Sequence, residues 1–173
     1  MRALVSPLSL LLLAAAPACV SAEIDAPEIC VGGMELPFSP EAYGTTTEDS
    51  ISGDDLGVPD SDSLDLVVIV RSVAITPTEG VSDLDFLSSL SVRAASAEPD
   101  SGLDEVMLIQ MDVGDHMDDG SMFAEPTAPA DIADHLRAGE VVFRVDIDGA
   151  PLPDTMWMTD MDLCVHAVAN YGS

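Results

Sequence analysis

Lysine is absent from this chain of 173 residues, and five arginines stand against 32 acidic residues, for a formal net charge of −27. A field of that sign repels nucleic acid and anionic membrane surfaces, which excludes both as partners of the folded surface. It attracts cations and basic proteins, and it keeps a protein solvated in a salty medium that screens self-repulsion. Catalytic signatures are missing too. There is no G-x-S-x-G, no H-E-x-x-H, no C-x-x-C, no P-loop and no dinucleotide-binding glycine pattern. His116, His135 and His166 are scattered along the chain with no recognisable nucleophile nearby, so no catalytic residue is assigned. Also absent is an apolar run of the roughly 20 residues that a membrane-spanning helix needs.

The longest apolar run is at the N-terminus. Met1-Arg2 is followed by an apolar stretch centred on Leu10-Leu11-Leu12-Leu13-Ala14-Ala15-Ala16, and small residues come after it. A charged start, a short apolar centre and small residues are the three parts of a secretory signal peptide. Two cleavage sites compete. Val20-Ser21-Ala22 suits ordinary processing before Glu23, which makes residues 1–22 the leader. Ala16-Pro17-Ala18-Cys19 resembles a bacterial lipobox, in which Cys19 becomes the lipidated first residue, although Ala16 stands where that motif usually has Leu. The spacing of Cys19 from the apolar centre tips the reading toward a lipid-anchored protein of the outer membrane or periplasm, with free secretion as the alternative.

Only three cysteines are present: Cys19, Cys30 and Cys164. Lipidation or removal of Cys19 leaves two, and an oxidising compartment then predicts a Cys30–Cys164 disulfide.

About 150 residues follow the leader, enough for one domain with a real core. Apolar residues make up 47% of the chain, so high charge alone does not prevent folding. Residues 23–63 read as a first strand near Cys30 followed by an extended Gly-, Pro- and Asp-rich segment. Residues 64–173 read as the sandwich core. Val- and Ile-rich residues 64–75, alternating residues 90–94, and residues 105–113 with Met107, Ile109, Met111 and Val113 on one face all predict strands. Residues 130–137 predict a short helix, with Asp131 as its N-cap and Gly139 as its stop. Val141, Phe143, Val145 and Ile147 alternate with polar residues, and Trp157, Met161, Leu163 and Val165 share a face opposite Asp160, Asp162, Cys164 and His166. Short strands, turn punctuation and one short helix predict an all-β fold, a single immunoglobulin-like antiparallel β-sandwich.

Glu28-Ile29-Cys30, residues 80–90 with Asp83 and Phe86, the turn Gly149-Ala150-Pro151-Leu152-Pro153 and Asp162-Leu163-Cys164-Val165 follow the leader in a familiar order. That order resembles small lipoproteins and secreted proteins of Gram-negative bacteria with an immunoglobulin-like sandwich. The resemblance implies a fold and a compartment, and it implies no activity.

The expected role is therefore structural or protein-interacting, without catalysis and without a required cofactor, the partner being a protein or glycan of the cell envelope. The alternative is a calcium-dependent protein- or glycan-binding module. Asp60, Asp62 and Asp65 in one acidic stretch, and Asp115, Asp118 and Asp119 in another, could supply the six to eight oxygens that Ca2+ requires, although EF-hand spacing is absent. An unrecognised hydrolase ranks third. Methionines such as Met107 and Met111 read as core fillers rather than copper ligands.

Overall fold

The computed structural model describes residues 22–25, 27–39, 46–57, 65–112, 117–118, 120–149 and 152–171. Among these, ten strands and one helix follow in the order β1 (Ala22–Asp25), β2 (Ile29–Phe38), β3 (Thr46–Ile51), β4 (Asp65–Glu79), β5 (Leu87–Ser96), β6 (Val106–Asp112), β7 (Met117–Asp118), β8 (Ser121–Ala124), α1 (Ala133–Arg137), β9 (Val141–Gly149) and β10 (Trp157–Tyr171). All ladders are antiparallel. One sheet of six strands runs β1-β10-β4-β8-β7, with β2 also on β10; the other runs β3-β9-β5-β6. This is the expected all-β antiparallel sandwich with one short helix.

Its connectivity is narrower than that class. Setting aside the short β1 and β7 leaves eight strands, and their pairing is nested. First pairs with last (β2 with β10), second with seventh (β3 with β9), third with sixth (β4 with β8), and fourth with fifth (β5 with β6). That nesting is a long hairpin rolled up on itself, the double Greek key of a jelly roll. The immunoglobulin arrangement expected from the strand count instead places seven strands as ABED on CFG.

Alternation puts the apolar face of every long strand between the sheets. Val68, Met161, Leu163 and Val165 from one sheet meet Val92, Ala94, Phe143 and Val145 from the other, each almost completely buried. The start of β2 at Cys30 is the expected first strand. From Gly32 onward β2, and all of β3, also belong to this sandwich although their sequence reads as loop, because Gly32, Gly33 and Pro37 break the apolar periodicity. Pro37 is tolerated because β2 lies on the outer side of β10. Pro77 is tolerated because β8 covers β4 only from Val73 to Ile75, leaving the rest of that edge without a β8 partner. Further back along β4, residues 130–132 take over the edge. Val70 N–H donates to the Ala130 carbonyl at 3.0 Å, and Ile132 N–H donates to the Val68 carbonyl at 2.9 Å. Asp131 accepts from both Val68 N–H and Ala133 N–H at 3.0 Å, and so ties the start of α1 to the sheet.

In β6 the expected single apolar face is corrected by a bulge. Pairing with β5 skips Leu108, so Leu108 and Ile109 are both buried while Met107 turns out to solvent, 47% exposed. Thr159 of β10 is fully buried and its hydroxyl has no hydrogen-bond partner. Thr159→Val keeps the shape and removes that unsatisfied group, so it is expected to raise unfolding stability by about 1 kcal/mol. A loss of similar size in urea denaturation would mean that the hydroxyl is bonded.

Candidate functional site

The outer face of the four-stranded sheet carries two polar rows running across β6, β5 and β9. One row is Asp112–Ser89–Asp148 and the next is Gln110–Ser91–Asp146, each flanking residue being a direct register partner of the central serine. The central strand contributes only short serines while its neighbours contribute longer acids and an amide. The result is an open groove of about 480 Å3, lined by these six residues with Leu90, Met111 and Ile147.

Beside the groove, Arg93 of β5 and Arg144 of β9 stand directly opposite one another. Like charges in that register are destabilising unless compensated. Here three carboxylates compensate them. Glu105 bridges both, 2.8 Å from Arg93 Nη1 and 2.9 Å from Arg144 Nη1. Glu48 of β3 receives Arg144 Nε at 2.7 Å, and Asp146 receives Arg93 Nη2 as well as the Thr46 hydroxyl. The hydrogen bond to Asp146 is the main cause that raises the Arg93 pKa, and the bond to Glu48 does the same for Arg144.

Asp146 itself feels opposing effects. Burial pushes its pKa up, but the hydrogen bonds from Thr46 and Arg93 and the charges of Arg93 and Arg144 outweigh burial and hold it below the ordinary 3.8. A carboxylate depressed in the folded state contributes stability above its unfolded pKa and loses it as pH falls through the folded one. Asp146→Asn should therefore be less stable than wild type at about pH 7, and the gap should close on acidification below about pH 4. A gap that is constant with pH would show that charge on Asp146 contributes nothing.

The two described histidines do not converge. His135 is buried on α1, its Nε2 donating to the Asp104 carbonyl at 3.0 Å, and its buried Nδ1 has no hydrogen-bond partner. His166 lies on the outer face of β10 with Nε2 3.0 Å from Asp25 Oδ1. His116 lies outside the described residues, as do Cys19, Asp60, Asp62, Asp115 and Asp119. Of the remaining calcium candidates, Asp65 opens β4 opposite Asn170 and Asp118 pairs with Ser121 in β7, in register with different neighbours. In the turn after β3, Asp55 accepts from Ser52 N–H at 2.8 Å and from the Ser52 hydroxyl at 2.7 Å, and these bonds lower its pKa.

Cys30 and Cys164 form the expected disulfide, joining β2 to β10. Among the described residues, the cluster of His, Cys, Asp or Glu with ligand atoms all within 4.8 Å of one another is Glu28, Cys30 and Cys164.

The groove and the arginine network escape a reading of single strands, since each is assembled from residues on three or four of them. The local signal is present in hindsight: Ser89 and Ser91 alternate with apolar residues, as do Asp146 and Asp148.

No protein-family model matches the chain, and no curated protein matches it. Among solved structures, a chain of the mud crab tombus-like virus is 14% identical, with a TM-score of 0.40, over 100% of this chain and 92% of that one. A chain of the virus-like particle of extra small virus from the giant freshwater prawn Macrobrachium rosenbergii is 10% identical, with a TM-score of 0.26, over 97% and 94%. These likenesses are too distant to carry a functional argument.

Proposed function

We propose that this chain is an exported interaction module, tethered through lipid on Cys19, that takes a basic protein segment into the groove of its four-stranded sheet. The observation behind this reading is the groove's chemistry. Its lining is dominated by carboxylate, hydroxyl and amide oxygens, and among the described residues no cation pairs with Asp112 or Asp148. A surface rich in acceptors and poor in donors suits lysine and arginine side chains, and the net charge of −27 steers them to it.

The test is calorimetric titration with an arginine- and lysine-rich peptide at low salt. Asp112→Asn with Asp148→Asn is expected to weaken binding about three- to tenfold. A control pair away from the groove, Glu98→Gln with Asp100→Asn, should change it little. Equal weakening by both pairs would mean that the peptide answers the overall field rather than the groove.

A second reading keeps the same groove and substitutes a hard cation or a polyhydroxylated glycan, both of which its oxygens also suit. It expects millimolar Ca2+ to raise the melting temperature, an effect lost in the Asp112→Asn, Asp148→Asn protein.

Export and tethering are read from the intact mass of protein purified from a Gram-negative host. Acylated mass beginning at Cys19 supports the tether, and a chain beginning at Glu23 removes it. Either start leaves residues 23–25 available for the ladder of β1 with β10.

A further inference from the structure

A cluster independent of the groove lies on the outer face of the other sheet. Glu28, Cys30 and Cys164 bring one carboxylate oxygen and two sulfurs within 4.8 Å of one another. The sulfurs are bonded together, so neither is a ligand in this state. What places the cysteines is the ladder rather than the bond. They are direct register partners, flanked by the pairs Ile29–Val165 and Val31–Leu163, in a ladder that resumes after a bulge between Leu163 and Met161 and runs on to Phe38–Trp157. Directly opposed antiparallel residues hold their Cβ atoms about 4.5–5.5 Å apart. Breaking the bridge therefore leaves two thiols facing each other, at a separation that side-chain rotation alone can adjust. Two thiolates at about 2.3 Å from one tetrahedral zinc stand roughly 3.8 Å apart, a sulfur separation that rotation about the two Cα–Cβ bonds can supply. Glu28 and Cys30 are exposed, so a reductant and a cation both have access.

The geometry points to a redox-gated site for a thiophilic divalent cation of the zinc type, in which Cys30, Cys164 and Glu28 bind the metal only after the disulfide is reduced. A dithiol reductant supplies two electrons and two protons, cleaves the S–S bond and leaves as its own disulfide. The cation then displaces the two thiol protons. Cys30 and Cys164 supply thiolates, Glu28 an oxygen, and the fourth tetrahedral position is left to solvent. The bridge and the metal are mutually exclusive, and the surrounding negative charge favours the cation.

Cobalt is the probe. Full-length protein reduced with a non-chelating phosphine is expected to bind one Co2+ per chain with thiolate-to-cobalt charge-transfer bands, and oxidised protein is expected to show none. Glu28→Gln should weaken binding about tenfold or more while keeping the bands, and Cys30→Ser should lose the two-thiolate spectrum. No saturable binding by the reduced protein, binding that persists when it is oxidised, or unchanged affinity in Glu28→Gln would overturn the proposal. Should reduction unfold the chain, as read from Trp157 emission, equimolar Zn2+ is expected to restore the folded signal, and failure to do so would overturn it as well.

Discussion

Trp157→Ala is expected to lower unfolding stability by about 3–5 kcal/mol, a large share of what a domain of this size possesses. Trp157 is the first residue of β10 and is only 3% exposed. Its ring stacks on Phe38 at 4.3 Å between centroids and 15° between planes, and it receives Phe86 edge-on at 5.3 Å and 89°. One side chain thus holds the end of β2, the start of β10 and the turn before β5. Each aromatic pair adds about 0.5–1.5 kcal/mol beyond the area it buries. The corner is closed on its other side by Gly80, at φ +80°, where a Cβ would stand 2.7 Å from the Met156 carbonyl oxygen and 2.9 Å from Trp157 Cα. Little room remains for the corner to collapse into the space an alanine would leave, so the cavity cost is expected to persist. Urea denaturation followed by far-ultraviolet circular dichroism measures the loss, since the variant has no tryptophan to report by fluorescence. A loss under about 1 kcal/mol would show that this corner is not packed as described.

Removing both cysteines of the bridge, Cys30→Ala with Cys164→Ala, should cost a comparable amount for a different reason. The bridge spans a sequence separation of 134 residues. Constraining so long a loop in the unfolded chain corresponds to about 5 kcal/mol in the chain-entropy treatment. The cost arises in the unfolded ensemble, whereas the Trp157 cost arises in the folded core. Two measurements separate them. The double-alanine protein should retain native near-ultraviolet dichroism in water and show a larger denaturant dependence, because its unfolded state is more expanded. Equal stability of the wild-type and double-alanine proteins would mean that the bridge constrains nothing the ladder does not already constrain.

Much of the fold is legible along single strands. In β9, Val141, Phe143, Val145 and Ile147 are buried and Arg144, Asp146 and Asp148 face out, as their alternation requires. The same holds for Trp157, Met161, Leu163 and Val165 against Asp162, Cys164 and His166 in β10. Gly139, at φ +129°, follows the helix as expected, whereas the helix begins only at Ala133 and its N-cap position is Ile132, with Asp131 one residue earlier accepting from Ala133 N–H. The disulfide follows from cysteine parity. What fails is local too. The bulge at Leu108 breaks the single face expected of β6, because period-two reasoning assumes an unbroken pleat. The continuation of β2 beyond Val31 and the whole of β3 stay hidden because glycine and proline in β2 and polar residues in β3 mask their few buried positions, Met34, Leu36, Phe38, Thr47 and Ile51.

The acidic groove and the Arg93–Glu105–Arg144 network depend on something no strand contains. Among the eight principal strands, successive strands cross from one sheet to the other, except β5 and β6. Partners are therefore distant in sequence, and Ser91 meets Asp146 from 55 positions away. By itself the sequence determined the acidic surface, the apolar faces, the short helix and the cysteine pair, because charge, side-chain alternation and capping act over a few residues. Tertiary structure alone decided the jelly-roll order and which polar residues share a surface. Backbone hydrogen bonds pair strands without regard to side-chain identity, so the choice among partners rests on how all the apolar faces close over one core.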